Sequence, residues 1–183
     1  FLLEILRRIR RVAGPDLAVT VKMNGEDFVP DGLTLAESCE TARALAAEGI
    51  DAIEVSGWII GGPERQSPVR KGPPQPAEEG YYLPQAVEIK RAAGMTPVGA
   101  CGGWRSLERM NRALVGEGLD FVAASRPFLA EPDLVNRLRA GQPRAACVTC
   151  NGCFAARGAI RCVAIAEGRL TPPPFPAKDA PAP

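Results

Sequence analysis

Short β-branched runs and helical periodicities alternate along this chain, and that alternation restricts its fold more than any other feature. Leu2, Leu3, Ile5, Leu6, Ile9 and Val12 recur at helical spacing with arginines on the opposite face, up to Gly14-Pro15. Residues 17–23 then read as a strand. Thr34 and Glu37 have capping-box spacing, which predicts a helix over 34–48 closed by Gly49. Residues 50–56 form a second strand, 84–93 a helix closed by Gly94, and 97–101 a third strand. Ser106 is placed to cap a helix carrying Leu107, Met110 and Leu114. Residues 119–124 form a fourth strand, and 132–139 a last helix.

Strict alternation implies a parallel sheet with helices outside it, because each parallel neighbour needs a crossover. There is also an internal echo. Glu48-Gly-Ile-Asp-Ala-Ile-Glu-Val-Ser56 resembles Glu117-Gly-Leu-Asp-Phe-Val-Ala-Ala-Ser125, at an offset of 117 − 48 = 69 residues. Recurrence over two βα units suits a barrel made of repeated units. Four such units are half of an eight-stranded barrel, which needs about 250 residues. A chain of 183 residues that opens on Phe1 inside a helix reads as a fragment. The expected organisation is a half barrel over 1–142, a Cys-rich segment over 143–168 and a disordered Pro-rich tail over 169–183.

Composition narrows the function. Lys and Arg total 22 against 21 Asp and Glu, so a net charge of +1 offers no bulk attraction to nucleic acid or an anionic membrane. No apolar run reaches the roughly 18 residues of a membrane span, and no signal peptide is read at the start. A cytoplasmic chain is expected. There are no histidines, so the commonest acid–base group and metal ligand is missing.

Three constellations could carry chemistry. Gly102-Gly103 and Ser125-Arg126 follow the third and fourth strands, where a barrel commonly binds phosphate. Glycines let backbone N–H groups approach phosphate closely, and a following helix start favours negative charge. Arg126 could add a bidentate contact. The plainer reading is a tight turn with a surface arginine. Lys22, flanked by Val21 and Met23, could face an anionic part of a cofactor or snorkel to the rim. Cys147, Cys150, Cys153 and Cys162 have spacing suited to a 4Fe-4S cluster, with a four-thiolate zinc site next. Disulfides and reduced, buried thiols are the structural alternatives. Cys39 and Cys101 read as small core residues. Trp58 and Trp104 could line a flat cofactor or pack at the rim. Arg65, Arg70 and Lys71 read as solvated charge, and Tyr81 and Tyr82 as the base of the long 57–82 loop.

Val-Lys-Met-Asn24, Glu-Gly-Ile-Asp-Ala-Ile-Glu-Val-Ser-Gly57, Pro97-Val-Gly-Ala-Cys-Gly-Gly103, Asp120-Phe-Val-Ala-Ala-Ser-Arg-Pro-Phe-Leu-Ala-Glu-Pro-Asp133 and Cys150-Asn-Gly-Cys153 occur in one order. Together they resemble the C-terminal half of the old yellow enzyme family of NADH:flavin oxidoreductases, over about residues 1–162. The cysteines resemble the 2,4-dienoyl-CoA reductase branch, which carries a 4Fe-4S cluster and spaces its cysteines somewhat wider.

The resemblance implies strands five to eight of a TIM (β/α)8 barrel with FMN at its C-terminal mouth and NAD(P)H as electron donor. Hydride would pass through the flavin to an activated C=C bond of a small-molecule substrate. Lys22 would face the flavin N1/C2 carbonyl edge. Gly102, Gly103, Ser125 and Arg126 would hold the phosphate, with Ser125 standing where the family usually has Gly. The family's substrate-anchoring His pair or His-Asn pair and its Tyr lie in the other half. This chain alone is therefore expected to be inactive, and a homo-oligomeric parent is allowed. Two other readings stand beside it: a phosphate-binding barrel enzyme using Lys22, and a metal-binding or interaction module on a degenerate half barrel.

Overall fold

In the computed structural model, which describes residues 1–155 and 158–174, four strands make one sheet. They are β1 (Thr20–Asn24), β2 (Ala52–Ser56), β3 (Val98–Cys101) and β4 (Phe121–Ala123). The strands lie side by side in chain order, and every neighbouring pair is parallel. A doubly wound sheet would reverse its order at a switch point; an order that only advances is the winding of a partial (β/α) barrel. Among the described residues β1 and β4 are its two edges.

Helices α1 (Leu2–Ala13), α2 (Leu35–Ala47) and α3 (Leu83–Ala93) alternate with these strands. Thr34 starts α2 with the expected capping box: its hydroxyl accepts from Glu37 N–H at 3.3 Å, and the Glu37 carboxylate accepts from Thr34 N–H at 2.9 Å. Period-2 alternation sends Ile53 and Val55 of β2 outward, into a core with Leu45 of α2, Ile89 of α3 and Val98 of β3. Glu54 points to the opposite, inner face, level with Lys22 of β1. Only Leu6 of α1 is buried; Ile5 and Val12 of its apolar stripe stay exposed.

The internal echo is a repeated structural device. Gly49 and Gly118 both turn left-handed, at φ 76° and 78°. Two residues on, Asp51 accepts from Val19 N–H at 2.5 Å and from Arg10 of α1 at 2.6 Å. Asp120 accepts from Val98 N–H at 2.8 Å and pairs with Lys90 of α3 at 2.9 Å. Each aspartate clasps the start of the preceding strand to the helix that leads into that strand.

The second half of the chain departs from the sequence expectation in several places. Ser106 does not cap α4 (Leu107–Asn111); its hydroxyl donates to Glu79 at 2.6 Å instead. That helix runs on as a π turn over Arg112–Gly116. The expected last helix over 132–139 is α6 (Leu134–Arg139), and an unexpected α5 (Arg126–Ala130) precedes it. They part at Glu131-Pro132, where the buried Glu131 carboxylate accepts from Gln142 Nε2 and Ala146 N–H, both at 2.6 Å. A short α7 (Val163–Ala166) follows the cysteines. The start of the Pro-rich tail is tied down: Arg169 and Leu170 donate N–H to Ala164 O, and Arg137 donates to Pro173 O. Residues 175–183, where most of the expected disorder falls, lie outside the described residues.

Candidate functional site

A cavity of about 460 Å³ sits on the inner face of the sheet, toward the C-terminal ends of the strands. Small-molecule sites span about 300–1,000 Å³. Lys22, Gly102, Gly103, Ser125 and Arg126 all line it. So do Cys101, Arg105 and Trp104, the last expected to line a flat cofactor or pack at the rim, together with Glu54 and Phe154, which had no site role in the sequence reading. Trp58 is not among the lining residues.

Lys22 donates to Glu54 Oε1 at 2.6 Å. Burial opposes its charge, but the Glu54 hydrogen bond and the Cys101 sulfur outweigh that and raise its pKa above the ordinary lysine value. It is therefore an ammonium at neutral pH. An amine serving as a Schiff-base nucleophile needs the opposite shift, so this environment argues against the barrel enzyme that would use Lys22 covalently. A sequence signal for Glu54 existed: a lone carboxylate between Ile53 and Val55, matching a lone cation between Val21 and Met23. Cys101, read as a core residue, packs against the core and also borders the cavity.

Gly102 and Gly103 adopt φ 110° and 76°. A side-chain carbon at Gly103 would come within 2.4 Å of the Tyr81 ring, so both conformation and contact require glycine. The Gly102 carbonyl accepts from Gly80 and Tyr81 N–H at 2.9 and 3.0 Å. The expected negative charge at the following helix start is the protein's own: buried Glu79 accepts from the N–H groups of Arg105 and Ser106 at 2.9 and 2.8 Å. That helix start is already occupied. Trp104, fully buried, donates Nε1–H to Ala100 O at 2.7 Å and forms part of the wall. Tyr82 closes the base of the long loop, donating to Gln66 O at 2.7 Å, and burial pushes its hydroxyl pKa far up. Arg70, expected as solvated charge, lies 3.7 Å over the Tyr81 ring; Arg65 and Lys71 are exposed as expected.

Two arginines join this cavity to the Cys-rich segment. Arg105 is 2% exposed and donates to Cys147 O at 3.1 Å, Thr149 Oγ1 at 2.8 Å and Trp104 O at 2.5 Å. Burial lowers its pKa, and nearby Arg126 pushes the same way, with the Cys147 sulfur among the groups opposing. Arg126 donates to Asn151 Oδ1 at 2.5 Å, Pro68 O at 2.7 Å and Arg70 O at 3.3 Å. It also borders a second cavity of about 20 Å³, which Cys147, Cys150, Cys153 and Cys162 line together. The spacing thus does bring the four cysteines around one point. That space is about one water's worth. Among the described residues no group of three or more His, Cys, Asp or Glu is arranged to hold a metal ion. As folded, the four thiols enclose less space than an eight-atom cluster needs. All six cysteines are unpaired.

Sheet order and cavity define the class, a partial (β/α) barrel with a cation-lined cavity at the C-terminal ends of its strands. Comparison with known proteins narrows the class to a family. The chain belongs to the NADH:flavin oxidoreductase / NADH oxidase family, whose pattern matches residues 1–145. It is 31% identical to the 4,4'-dithiodibutanoate disulfide reductase of Rhodococcus erythropolis, covering 82% of this chain and 44% of that protein. It is 30% identical to the NADH oxidase of Thermoanaerobacter brockii, covering 86% of this chain and 24% of that protein. Among solved structures, a 2-naphthoyl-CoA reductase complexed with 2-naphthoyl-CoA superposes with a TM-score of 0.60 at 27% identity, over 83% of this chain and 22% of that one. The chain spans less than half the length of each.

Proposed function

We propose that this chain is the flavin-phosphate half of an FMN-dependent NAD(P)H oxidoreductase acting on a small molecule, with its four strands as strands five to eight of a (β/α)8 barrel. The observation that carries the reading is the convergence of Lys22, Gly102, Gly103, Ser125 and Arg126 on one cavity. FMN matches the donor set: a cation on the inner sheet face for the polar ring edge, and a glycine turn with an arginine for the phosphate. When bound, FMN supplies hydride transfer between a nicotinamide and an activated C=C bond.

This chain's residues do the electrostatic part. Lys22, held charged by Glu54, favours negative charge on the ring edge beside it. Arg126 and the Gly102-Gly103 backbone take the phosphate. Glu79, by filling the α4 start and binding Arg105 and Ser106, keeps the glycine turn in shape. Acid–base groups for the substrate are assigned to the other half, which supplies the histidines this chain lacks.

The test is reconstitution of the complete protein carrying these residues. It is expected to bind FMN, and Lys22→Met is expected to make the bound flavin's reduction potential more negative. Failure to take up FMN would end this reading, and an unchanged potential would remove Lys22 from the site.

A further inference from the structure

Residues 147–154 meet Arg126 beside the cavity, and the geometry there goes beyond the flavin reading, on which it rests only for the identity of the ligand. A guanidinium has five N–H groups. Arg126 Nη1 spends both of its own on Asn151 Oδ1 and Arg70 O, and Nη2 spends one on Pro68 O. The Nε–H and the second Nη2–H have no acceptor among the described residues. Nε and Nη2 flank one edge of the guanidinium, the fork that clasps an oxyanion side-on.

Asn151 is itself locked. Its Nδ2 donates to Val69 O at 2.8 Å and to Arg70 O at 3.4 Å, so the amide cannot flip without setting oxygen against oxygen. Its backbone is left-handed, at φ 61°, a conformation asparagine tolerates better than most residues. Arg105, the other guanidinium bordering the cavity, is gripped by the same segment through Cys147 O and Thr149 Oγ1. Neither guanidinium pairs with a carboxylate among the described residues. Two neighbouring guanidiniums, offset at Arg105 only by Glu79 and the Cys147 sulfur, favour an anion in the cavity.

We propose that Asn151 is a positioning residue of the phosphate site: it fixes the Arg126 guanidinium so that its two remaining N–H groups present a fork to the ligand's phosphate. The Cys-rich segment thereby serves as one wall of the phosphate site.

The test uses the complete protein and two variants. Asn151→Gly keeps the left-handed backbone and removes the amide. Asn151→Asp keeps the acceptor but neutralises Arg126. In titration calorimetry Asn151→Gly is expected to weaken FMN about tenfold while riboflavin, which lacks the phosphate, stays within about twofold. Asn151→Asp is expected to weaken FMN further, again sparing riboflavin. If FMN and riboflavin fall alike, or neither falls, Asn151 does not position the phosphate fork. If the unaltered protein binds neither flavin, the flavin reading fails separately. Inorganic phosphate then decides: weaker binding in both variants upholds Asn151, and equal or absent binding in all three overturns it.

Discussion

The two ends of the sheet are built on opposite plans. At the N-terminal ends of the strands one device occurs twice. A left-handed glycine precedes an aspartate, which clasps a strand start and a helix cation, at Asp51 and again at Asp120. At the C-terminal ends the strands diverge beyond the matching Ser56 and Ser125. β1 ends on Asn24, which donates to Asp27 and Trp58 O; β3 runs into Gly102-Gly103; β4 leads to Ser125-Arg126. The lower end repeats because the β1–β2 and β3–β4 pairs set the same geometric problem. The upper end diverges because each strand brings a different group to one cavity. In a (β/α) barrel this is the division between a face that holds the fold and a face that holds ligands.

The sharpest challenge to that division is Trp104, which lines the cavity yet is fully buried. Trp104→Ala is expected to cost about 3–5 kcal/mol of stability without any ligand, as removal of a buried tryptophan generally does. Denaturant unfolding measures it, and a loss under 1 kcal/mol would mean the upper end carries little of the fold. Arg126→Ala makes the opposite case. It is expected to lower FMN affinity at least roughly tenfold, with riboflavin binding nearly unchanged. An unliganded midpoint that drops as far as that of Trp104→Ala would make Arg126 a strut for the 57–82 loop rather than a ligand group.

Both ends were legible in the sequence only in part, for a physical reason. The Thr34–Glu37 cap shows within three residues, and the 48–56 and 117–125 echo exposed the repeat; the groups that Asp51 clasps lie 32 and 41 residues away and left no local mark. Lys22, Gly102, Gly103, Ser125 and Arg126 were visible because residue type and strand-end position mark them. Their partners were not. Glu54 meets Lys22 only through sheet register across 32 residues, and Asn151 meets Arg126 only after the Cys-rich segment folds back. Glu79 sits in a loop where no periodicity marks a buried carboxylate. α5 was missed although Pro127 at its first turn is a start signal. The cysteine spacing announced convergence on one point, but spacing carries no information on how much room that point encloses.

A finer probe of the comparison asks whether the clasps act through charge and whether the upper end is indifferent to them. Asp120→Asn keeps an acceptor for Val98 N–H and loses the charge facing Lys90. A partly exposed pair of this kind is worth about 1 kcal/mol. FMN affinity is expected to stay unchanged in this variant; a change would couple the two ends.

The smallest effect is in pH. Hydrogen bonds from Val19 and Arg10 hold the Asp51 pKa below the usual carboxylate value. For Asp120 burial acts upward, but Val98 N–H and Lys90 outweigh it, and the net shift is also downward. A carboxylate depressed in the folded state adds stability that is complete above its unfolded pKa, about 3.9. That stability is lost as pH falls through the folded value. The gap in urea midpoint between the natural chain and an Asp51→Asn, Asp120→Asn double variant should therefore be widest near neutrality and close on acidification below about pH 4. Glu37, Glu48 and Asp133 are also depressed, but they are present in both proteins and cancel in the difference. A gap that stayed constant with pH would show the aspartates holding the strand starts as neutral acceptors do. The repeated device would then be one of shape alone.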